Sequence, residues 1–349
     1  MAVTTARRAP ANVLPLLLRC CSCRFAAYYW MGFLAGLAAV DQLTVARAVG
    51  AAPMWLAFCV GTESVNRIAD READIVNRPE RTALCEAIGW PRLTRIAVGA
   101  WVVFAAWGAL LFALDPEPAF AAMILVDIAI AVGYSIGPAF KRHRVLALLV
   151  LVMPLVLPMV TGWATRPDAD ALTSPVLPAA AVLAAFSLGL AGIKDITDVA
   201  GDRLLGYSSL WLTIARAGRG AAVHVLVVAP FALDALFVVL RLLPVSSLAV
   251  LPCVLASAYV VRGANAAEST EERSVAREVM HSYTFLFLAA YLLAAMASPG
   301  MAAVAALGAG HWLLASRRLH WAPALTRAQL RGWAAIAVPS SRGSTVERV

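Results

Sequence analysis

Long apolar runs alternate with short polar segments along most of the chain. Several of the runs approach or exceed the roughly 18 residues that a helix needs to cross the hydrocarbon core of a bilayer. Nine runs predict membrane-spanning helices, and a tenth, at residues 301–315, is short and rich in Ala and Gly. The nine predicted spans are residues 25–40, 50–65, 96–114, 119–136, 145–163, 176–193, 221–240, 245–261 and 281–297.

This pattern predicts an all-α polytopic membrane protein: a nine-helix transmembrane bundle with a possible tenth short helix and with cytoplasmic cap loops. The composition agrees, because 61% of the 349 residues are hydrophobic and only 14% are charged, whereas soluble domains carry about 25% charged residues. We expect an N-terminal cytoplasmic segment over residues 1–24 and a transmembrane domain over residues 25–297. Residues 298–349 are expected to form an extra helix and a disordered tail.

Basic residues are distributed unevenly between the predicted loops. With the N-terminus inside, the loops on the opposite side receive only Arg47, Arg166 and Arg241. Most of the other Lys and Arg residues fall in cytoplasmic loops, and the positive-inside rule makes this bias a guide to orientation. We therefore expect a multi-pass protein of the cell (plasma) membrane with its active site facing the cytoplasm. The net charge of +8 belongs to loops beside the lipid bilayer, so no nucleic-acid partner is expected.

The first of two acidic segments follows the second predicted span. Asn66, Asp70 and Asp74 recur every four residues, so in a helix they lie on one face. Carboxylates this close repel one another and are costly beside a bilayer unless they share a positive partner. Glu63 precedes Asn66 by one turn and is expected to face the bundle interior, as a base or as a substrate contact. The alternative is a solvated face that neighbouring arginines neutralise.

The second acidic segment occupies the matching position after the sixth predicted span. Asp195, Asp198 and Asp202 are spaced i, i+3 and i+7, which again lines one helical face. Mg²⁺ prefers carboxylate oxygens and usually completes its shell with water and substrate phosphates. Two acidic segments that face each other at one membrane surface therefore predict a cradle for Mg²⁺ and a diphosphate.

The paired acidic segments resemble those of the UbiA superfamily of intramembrane prenyltransferases. The second, with its form Lys-Asp-x-x-Asp-x-x-Gly-Asp from Lys194 to Asp202, is most similar to homogentisate- and chlorophyll-synthase-type members. Residues 134–142, after the fourth span, resemble the family's Tyr-to-Lys/Arg segment. Arg67 departs from the many relatives that have Asp at this position. The resemblance implies a central cavity open to lipid and two Mg²⁺ ions that bridge the acidic segments to an isoprenyl diphosphate.

The resemblance also implies a role for each candidate residue. Lys141 and Arg142 are expected to neutralise the diphosphate as its C–O bond breaks, since negative charge builds on the leaving group. Arg71 and Lys194 are further candidates for substrate contacts, and the ring of Tyr134 is expected to stabilise the allylic cation. Simple anchoring at the membrane surface, or pairing with neighbouring acids, is the alternative for each. The expected metal ligands are Asn66, Asp70, Asp74, Asp195, Asp198 and Asp202, of which Asn66 is also a substrate-binding candidate.

We therefore expect a Mg²⁺-dependent prenyltransferase that transfers an isoprenyl group from an isoprenyl diphosphate to a small aromatic acceptor. The alternative is a membrane terpene cyclase of the same fold, in which the cation closes on its own double bonds. An arginine from the segment Arg19–Arg24 that points into the cavity would indicate an acceptor site, whereas a wholly apolar pocket would favour cyclisation. Transport is a third class, but the acidic segments lie at the predicted membrane surface rather than at its midplane.

Overall fold

The computed structural model describes residues 12–166, 174–204 and 220–338. All regular secondary structure in these ranges is helical. Residues 1–11 of the predicted cytoplasmic segment and residues 339–349, the end of the predicted tail, lie outside the described ranges. The helices are α1 (Val13–Cys20), α2 (Ala26–Ala39), α3 (Val45–Ala69), α4 (Arg71–Asn77), α5 (Pro79–Ile88), α6 (Trp90–Leu114), α7 (Pro118–Gly133), α8 (Arg144–Trp163), α9 (Val176–Lys194), α10 (Val199–Leu204), α11 (Gly220–Val239), α12 (Cys253–Ala266), α13 (Thr270–Ala295), α14 (Pro299–Arg318) and α15 (Arg327–Ala337).

Four helical segments in the described ranges are long and apolar enough to cross a membrane. Apolar side chains on the outer face of α6 are exposed, with Val98 60%, Val102 61% and Leu110 50% accessible, as expected of a face that contacts lipid. The architecture is that of a multi-pass α-helical membrane protein, while the count of nine spans and the cytoplasmic caps stay predictions. The four segments are Val45–Ala69, Trp90–Leu114, Val245–Ala266 and Thr270–Ala295.

The predicted eighth span is not one continuous helix. Val245–Val250 forms a 3₁₀ turn, and α12 begins only after Pro252. Proline has no backbone N–H to donate, so it is favoured at the start of a helix and disfavoured inside one. The run at residues 301–315, by contrast, lies within the 20-residue helix α14.

Local sequence signals start the helices of the C-terminal part. The Ser269 hydroxyl accepts a hydrogen bond from the Glu272 N–H at 3.1 Å, and the Glu272 carboxylate accepts one from the Ser269 N–H at 2.9 Å. Thr326 and Gln329 form the same reciprocal arrangement at the start of α15. Such capping boxes satisfy backbone donors that a helix leaves unpaired, and they fix where α13 and α15 begin.

Helices α2 and α8 pack closely through two glycines. A Cβ atom added at Gly36 would lie 2.1 Å from the Met159 carbonyl oxygen, and one at Gly162 would lie 2.0 Å from the Phe33 carbonyl oxygen. Small residues allow helix backbones to approach in a membrane, where lipid weakens the hydrophobic drive to associate. This contact sets the separation of two helices that together form one wall of the central cavity.

Candidate functional site

The first acidic segment lies at the junction of α3 and α4. The predicted single helix is wrong here, because α3 ends at Ala69 and Asp70 has a non-helical backbone conformation. The hydrogen-bond spacing nevertheless continues, since the Asp70 N–H donates to the Asn66 carbonyl at 2.9 Å and the Asp74 N–H donates to the Asp70 carbonyl at 2.8 Å. Asn66, Asp70 and Asp74 therefore remain one turn apart, as the spacing predicts.

A lysine from another segment neutralises this cluster. Lys141, in the 3₁₀ turn Phe140–Arg142 that follows α7, forms an ion pair with Asp70. Its ammonium group also donates to the Asn66 side-chain oxygen at 3.2 Å, and that oxygen accepts a hydrogen bond from the Ser135 hydroxyl at 3.0 Å. Burial lowers the pKa of Lys141, while the Asp70 carboxylate acts in the opposite direction. Lys141 thus lies where an anion held beside Asp70 would meet a positive charge.

The second acidic segment forms a bend rather than one helical face. Helix α9 ends at Lys194, Asp195 follows it, and Asp198 precedes α10, so the predicted continuous helix is wrong here too. The Arg78 guanidinium donates to both Asp198 oxygens, at 2.6 and 2.5 Å. Burial would raise the pKa of Asp198, but the charges of Arg78 and Arg277 outweigh it and hold that pKa below its ordinary value. The side chain of Asp202 lies outside what the structure describes.

The two acidic segments lie side by side, joined by Asn77 at the end of α4. The Asn77 amide donates to the Asp198 carbonyl oxygen at 3.0 Å and accepts a hydrogen bond from the Gly201 N–H at 2.7 Å. A Cβ atom at Gly201 would lie 2.6 Å from the Asn77 amide nitrogen, so a larger residue there would displace the amide that joins the two segments. Asp74 pairs with Arg81 of α5. The juxtaposition that the sequence predicts is therefore present, with arginines interleaved between the carboxylates.

A cavity of about 260 Å³ lies beneath these segments. Its walls are mainly apolar and aromatic, while Asn66, Arg78 and Lys194 line its polar end. The Lys194 ammonium donates to the Tyr134 hydroxyl at 2.9 Å and lies 5.1 Å from the centre of that ring. Lys194 therefore has Tyr134 as its direct partner. Wall residues from the helices include Tyr28, Tyr29, Phe58, Ile130, Met153, Leu157 and Leu190.

An arginine near the start of α2 points into this cavity. Arg24 is buried and lines the wall, where its guanidinium donates to Glu278 at 2.8 Å, whereas Arg19 is exposed. Glu63 also lines the cavity, but it pairs with Arg67 one turn later. Both pairs place charged groups in the wall of the cavity.

Two predicted substrate contacts lie elsewhere. Arg71 is exposed, and its guanidinium carbon lies 4.7 Å from the ring centre of Trp90. Arg142 is also exposed. Among the described residues, neither of them lines the cavity. The expected contact of Arg71 and Arg142 with a substrate in this cavity is therefore not supported by the geometry, and stacking on Trp90 accounts for Arg71.

Sequence reasoning missed three arginines of the polar end. Arg78 continues the four-residue spacing of the first acidic segment after Asp74, and this spacing was the available signal. Arg81 follows it on α5. Arg277 and Glu278 lie in a stretch that its mixed charges suggest is solvated, yet they are only 5% and 6% exposed and line the cavity. Their partners come from distant segments, which a local pattern does not reveal.

The residues at the polar end fit Mg²⁺ in combination with a diphosphate. In the described part of the chain, no three Asp, Glu, His or Cys side chains form a ready-made metal cage. Mg²⁺, however, usually binds through one or two carboxylates together with water and substrate phosphates, without an all-protein cage. The oxygen donors of Asp70, Asp74 and Asp198 suit that mode of binding, and the interleaved cations suit the phosphate oxygens.

Comparison with known proteins shows the fold and the family of this chain. No curated protein matches the chain significantly by sequence. The fold is similar to a solved structure of digeranylgeranylglyceryl phosphate synthase, with a TM-score of 0.56 and 16% identity over 82% of this chain and 98% of that one. It is also similar to a UbiA homologue from Archaeoglobus fulgidus bound to GPP and Mg²⁺, with a TM-score of 0.52 and 14% identity over 87% and 99% of the two chains. Residues 25–280 match the UbiA prenyltransferase family, and the chain belongs to that family.

Proposed function

We propose that this protein is a Mg²⁺-dependent intramembrane prenyltransferase that joins an isoprenyl diphosphate to a small aromatic acceptor. One observation carries the proposal: two carboxylate segments, joined through Asn77 and interleaved with cations, lie over the polar end of an aromatic cavity. A polar end of this kind suits a diphosphate, and the apolar depth suits a prenyl chain. The relative from Archaeoglobus fulgidus, bound to GPP and Mg²⁺, supports the same class of donor substrate.

The carboxylates are proposed to hold the metal. Asp70, Asp74 and Asp198 would bind two Mg²⁺ ions together with the diphosphate, with Asn66 and Asp195 as neighbouring ligands. Bound Mg²⁺ supplies Lewis-acid stabilisation of the charge that develops on a leaving diphosphate. Asp202, as a further ligand, rests on the sequence spacing alone.

The cations and the aromatic residues complete the proposed mechanism. Lys141 and Arg78 are close enough to the carboxylates to exchange these partners for diphosphate oxygens as the C–O bond breaks. The ring of Tyr134 faces the cavity and would stabilise the allylic cation. The apolar remainder of the wall would keep water away from the cation, which water would otherwise capture.

An acceptor is favoured over cyclisation by the polar wall on the side of α13. Arg24 and Glu278 form a buried ion pair there at 2.8 Å, with both side chains lining the cavity. A cyclase needs only apolar and aromatic walls around its cation, so buried charges on this side are better explained by recognition of a polar second substrate. The form of the segment from Lys194 to Asp202, similar to homogentisate- and chlorophyll-synthase-type members, favours an aromatic ring as that substrate.

The orientation is proposed from charge. The acidic segments are followed by loops rich in Arg and Lys, which the positive-inside rule assigns to the cytoplasmic side of a plasma membrane. The diphosphate would then enter from the cytoplasm.

Product analysis tests the proposed function directly. Purified protein in detergent with Mg²⁺ is incubated with dimethylallyl, geranyl, farnesyl and geranylgeranyl diphosphates, each with and without a panel of phenolic and indolic acceptors. A product with the combined mass of acceptor and prenyl group supports transfer. A hydrocarbon or terpene alcohol formed without acceptor would support the cyclase instead, and no consumption of any diphosphate would contradict both.

Replacing Lys141 with Met is expected to lower kcat/KM for the isoprenyl diphosphate by about 10²-fold, since one preorganised charge at a leaving group contributes on that order. Steady-state kinetics at saturating Mg²⁺ measure this change in kcat/KM. Arg47→Met is the matched control, because Arg47 pairs with exposed Asp115 at 3.1 Å, away from the cavity lining. An unchanged kcat/KM in Lys141→Met would contradict this role and would favour simple anchoring of Lys141 at the membrane surface.

A further inference from the structure

The chain beyond α14 returns to the cavity. After α14 ends at Arg318, His320 and Trp321 both line the cavity wall. They lie outside residues 25–280, which match the family. The polar end of the cavity is therefore completed by a segment that the family match does not cover.

Three contacts hold this returning segment in place. His320 is buried, with its Nδ1 atom 3.1 Å from the Ser22 hydroxyl and its Nε2 atom 3.5 Å from a Glu278 oxygen. Further along, Trp333 of α15 packs against Gly263 so closely that a Cβ atom there would lie 2.2 Å from the indole. The segment is thus fixed at both ends of the turn that carries Trp321.

Trp321 contacts one guanidinium group from each side of the polar end. The guanidinium carbon of Arg277 lies 4.9 Å from the indole ring centre, and that of Arg81 lies 5.6 Å from it. Both distances are within the range of cation–π attraction. Arg81 pairs with Asp74 of the first acidic segment, and Arg277 donates to the Thr197 hydroxyl of the second at 2.8 Å. One indole therefore contacts two cations, each of which is bound to a different acidic segment.

We propose that Trp321 is a positioning residue for the diphosphate: it holds Arg81 and Arg277 where the two guanidinium groups can bind phosphate oxygens. The inference rests on the proposed function. An arginine side chain loses rotamer freedom when it binds, and a side chain already held by an aromatic face loses less. Cation–π contacts also leave the N–H edges of the guanidinium free to donate to an anion.

Equilibrium binding separates this role from turnover. The full-length protein in detergent with Mg²⁺ is titrated calorimetrically with geranyl thiolodiphosphate, whose bridging sulfur slows bond cleavage, and no acceptor is present. Trp321→Leu is expected to weaken binding about tenfold, as the loss of the ring face implies. Trp321→Phe, which restores an aromatic face, is expected to remain within about twofold of wild type.

Trp90 supplies the matched control. It is likewise half-buried and lies over an arginine, Arg71, but outside the cavity lining, so Trp90→Leu should bind like wild type. Trp321→Met replaces the leucine variant if that variant is not monodisperse.

Several outcomes would overturn the inference. Wild-type affinity in Trp321→Leu would do so, as would equal weakening in Trp321→Leu and Trp321→Phe, because the aromatic face would then be irrelevant. Equal weakening in Trp321→Leu and Trp90→Leu would indicate general destabilisation instead. If the wild-type protein itself does not bind the analogue, the proposed function fails and this inference fails with it.

Discussion

Asp198→Asn is expected to lower Mg²⁺-dependent kcat/KM by about 10²–10³-fold, the effect of removing one preorganised electrostatic group from a transition state. The substitution keeps the shape of the side chain and removes its charge. Asp198 is the carboxylate that Arg78 contacts through both oxygens, and its backbone carbonyl is tied to the first acidic segment by Asn77. An amide at this position binds Mg²⁺ more weakly and leaves the Arg78 charge uncompensated.

The measurement is turnover as a function of Mg²⁺ concentration, with thermal stability in detergent measured in parallel. Asp115→Asn is the matched control, because this carboxylate also pairs with an arginine but is 60% exposed, and it should keep wild-type activity. Full activity in Asp198→Asn would remove the argument that the two acidic segments form a metal cradle. A protein that no longer folds would instead assign Asp198 a purely structural role.

Gly162→Ala is expected to destabilise the protein by about 3 kcal/mol or more, at the upper end of the cost of overpacking a well-packed site. The added methyl group would lie 2.0 Å from the Phe33 carbonyl oxygen on α2. That neighbour is backbone, so no side-chain rotation relieves the clash and the two helices must separate. Since α2 and α8 share a cavity wall, activity should fall with stability.

The fraction of protein that remains monodisperse after heating in detergent measures this effect. Gly99→Ala is the control, because a Cβ atom at Gly99 on α6 meets nothing within 4 Å. The Gly99→Ala substitution should leave the temperature of the thermal transition unchanged or raise it slightly, since Ala favours a helix more than Gly does. A Gly162→Ala protein as stable as Gly99→Ala would contradict the close contact of α2 and α8.

Local sequence patterns predict the spacing of the side chains in the first acidic segment, but not the interruption of the helix that carries them. The spacing of Asn66, Asp70 and Asp74 depends only on neighbours along the chain, and it survives the end of α3 because the backbone bonds continue across Asp70. The second acidic segment bends at Asp195, and the hydrophobic pattern of the sequence does not indicate a helix end at this position. The apolar run that contains Pro252 was equally easy to recognise from the sequence. The break in its helix follows because proline has no backbone N–H to donate.

The cations of the site were harder to predict. Arg277 and Trp321 meet only because α13 and the segment after α14 converge on the cavity. Such a contact depends on the whole packing arrangement, and neither residue stands out from its neighbours in charge or hydropathy. Membrane topology, which depends on the summed hydrophobicity of long runs, is by contrast largely set by composition.

The ion pairs at the polar end mean that this membrane enzyme carries its own counter-charges. Asp70, Asp74 and Asp198 each have a lysine or arginine partner, so each of these carboxylates is neutralised before any substrate binds. Under the proposed function, arrival of a magnesium–diphosphate complex would be an exchange of partners, in which the carboxylates would pair with the metal and the cations with the phosphates. Because the protein's own charges would exchange partners rather than lose them, none of them would be left unpaired away from water when the substrate binds.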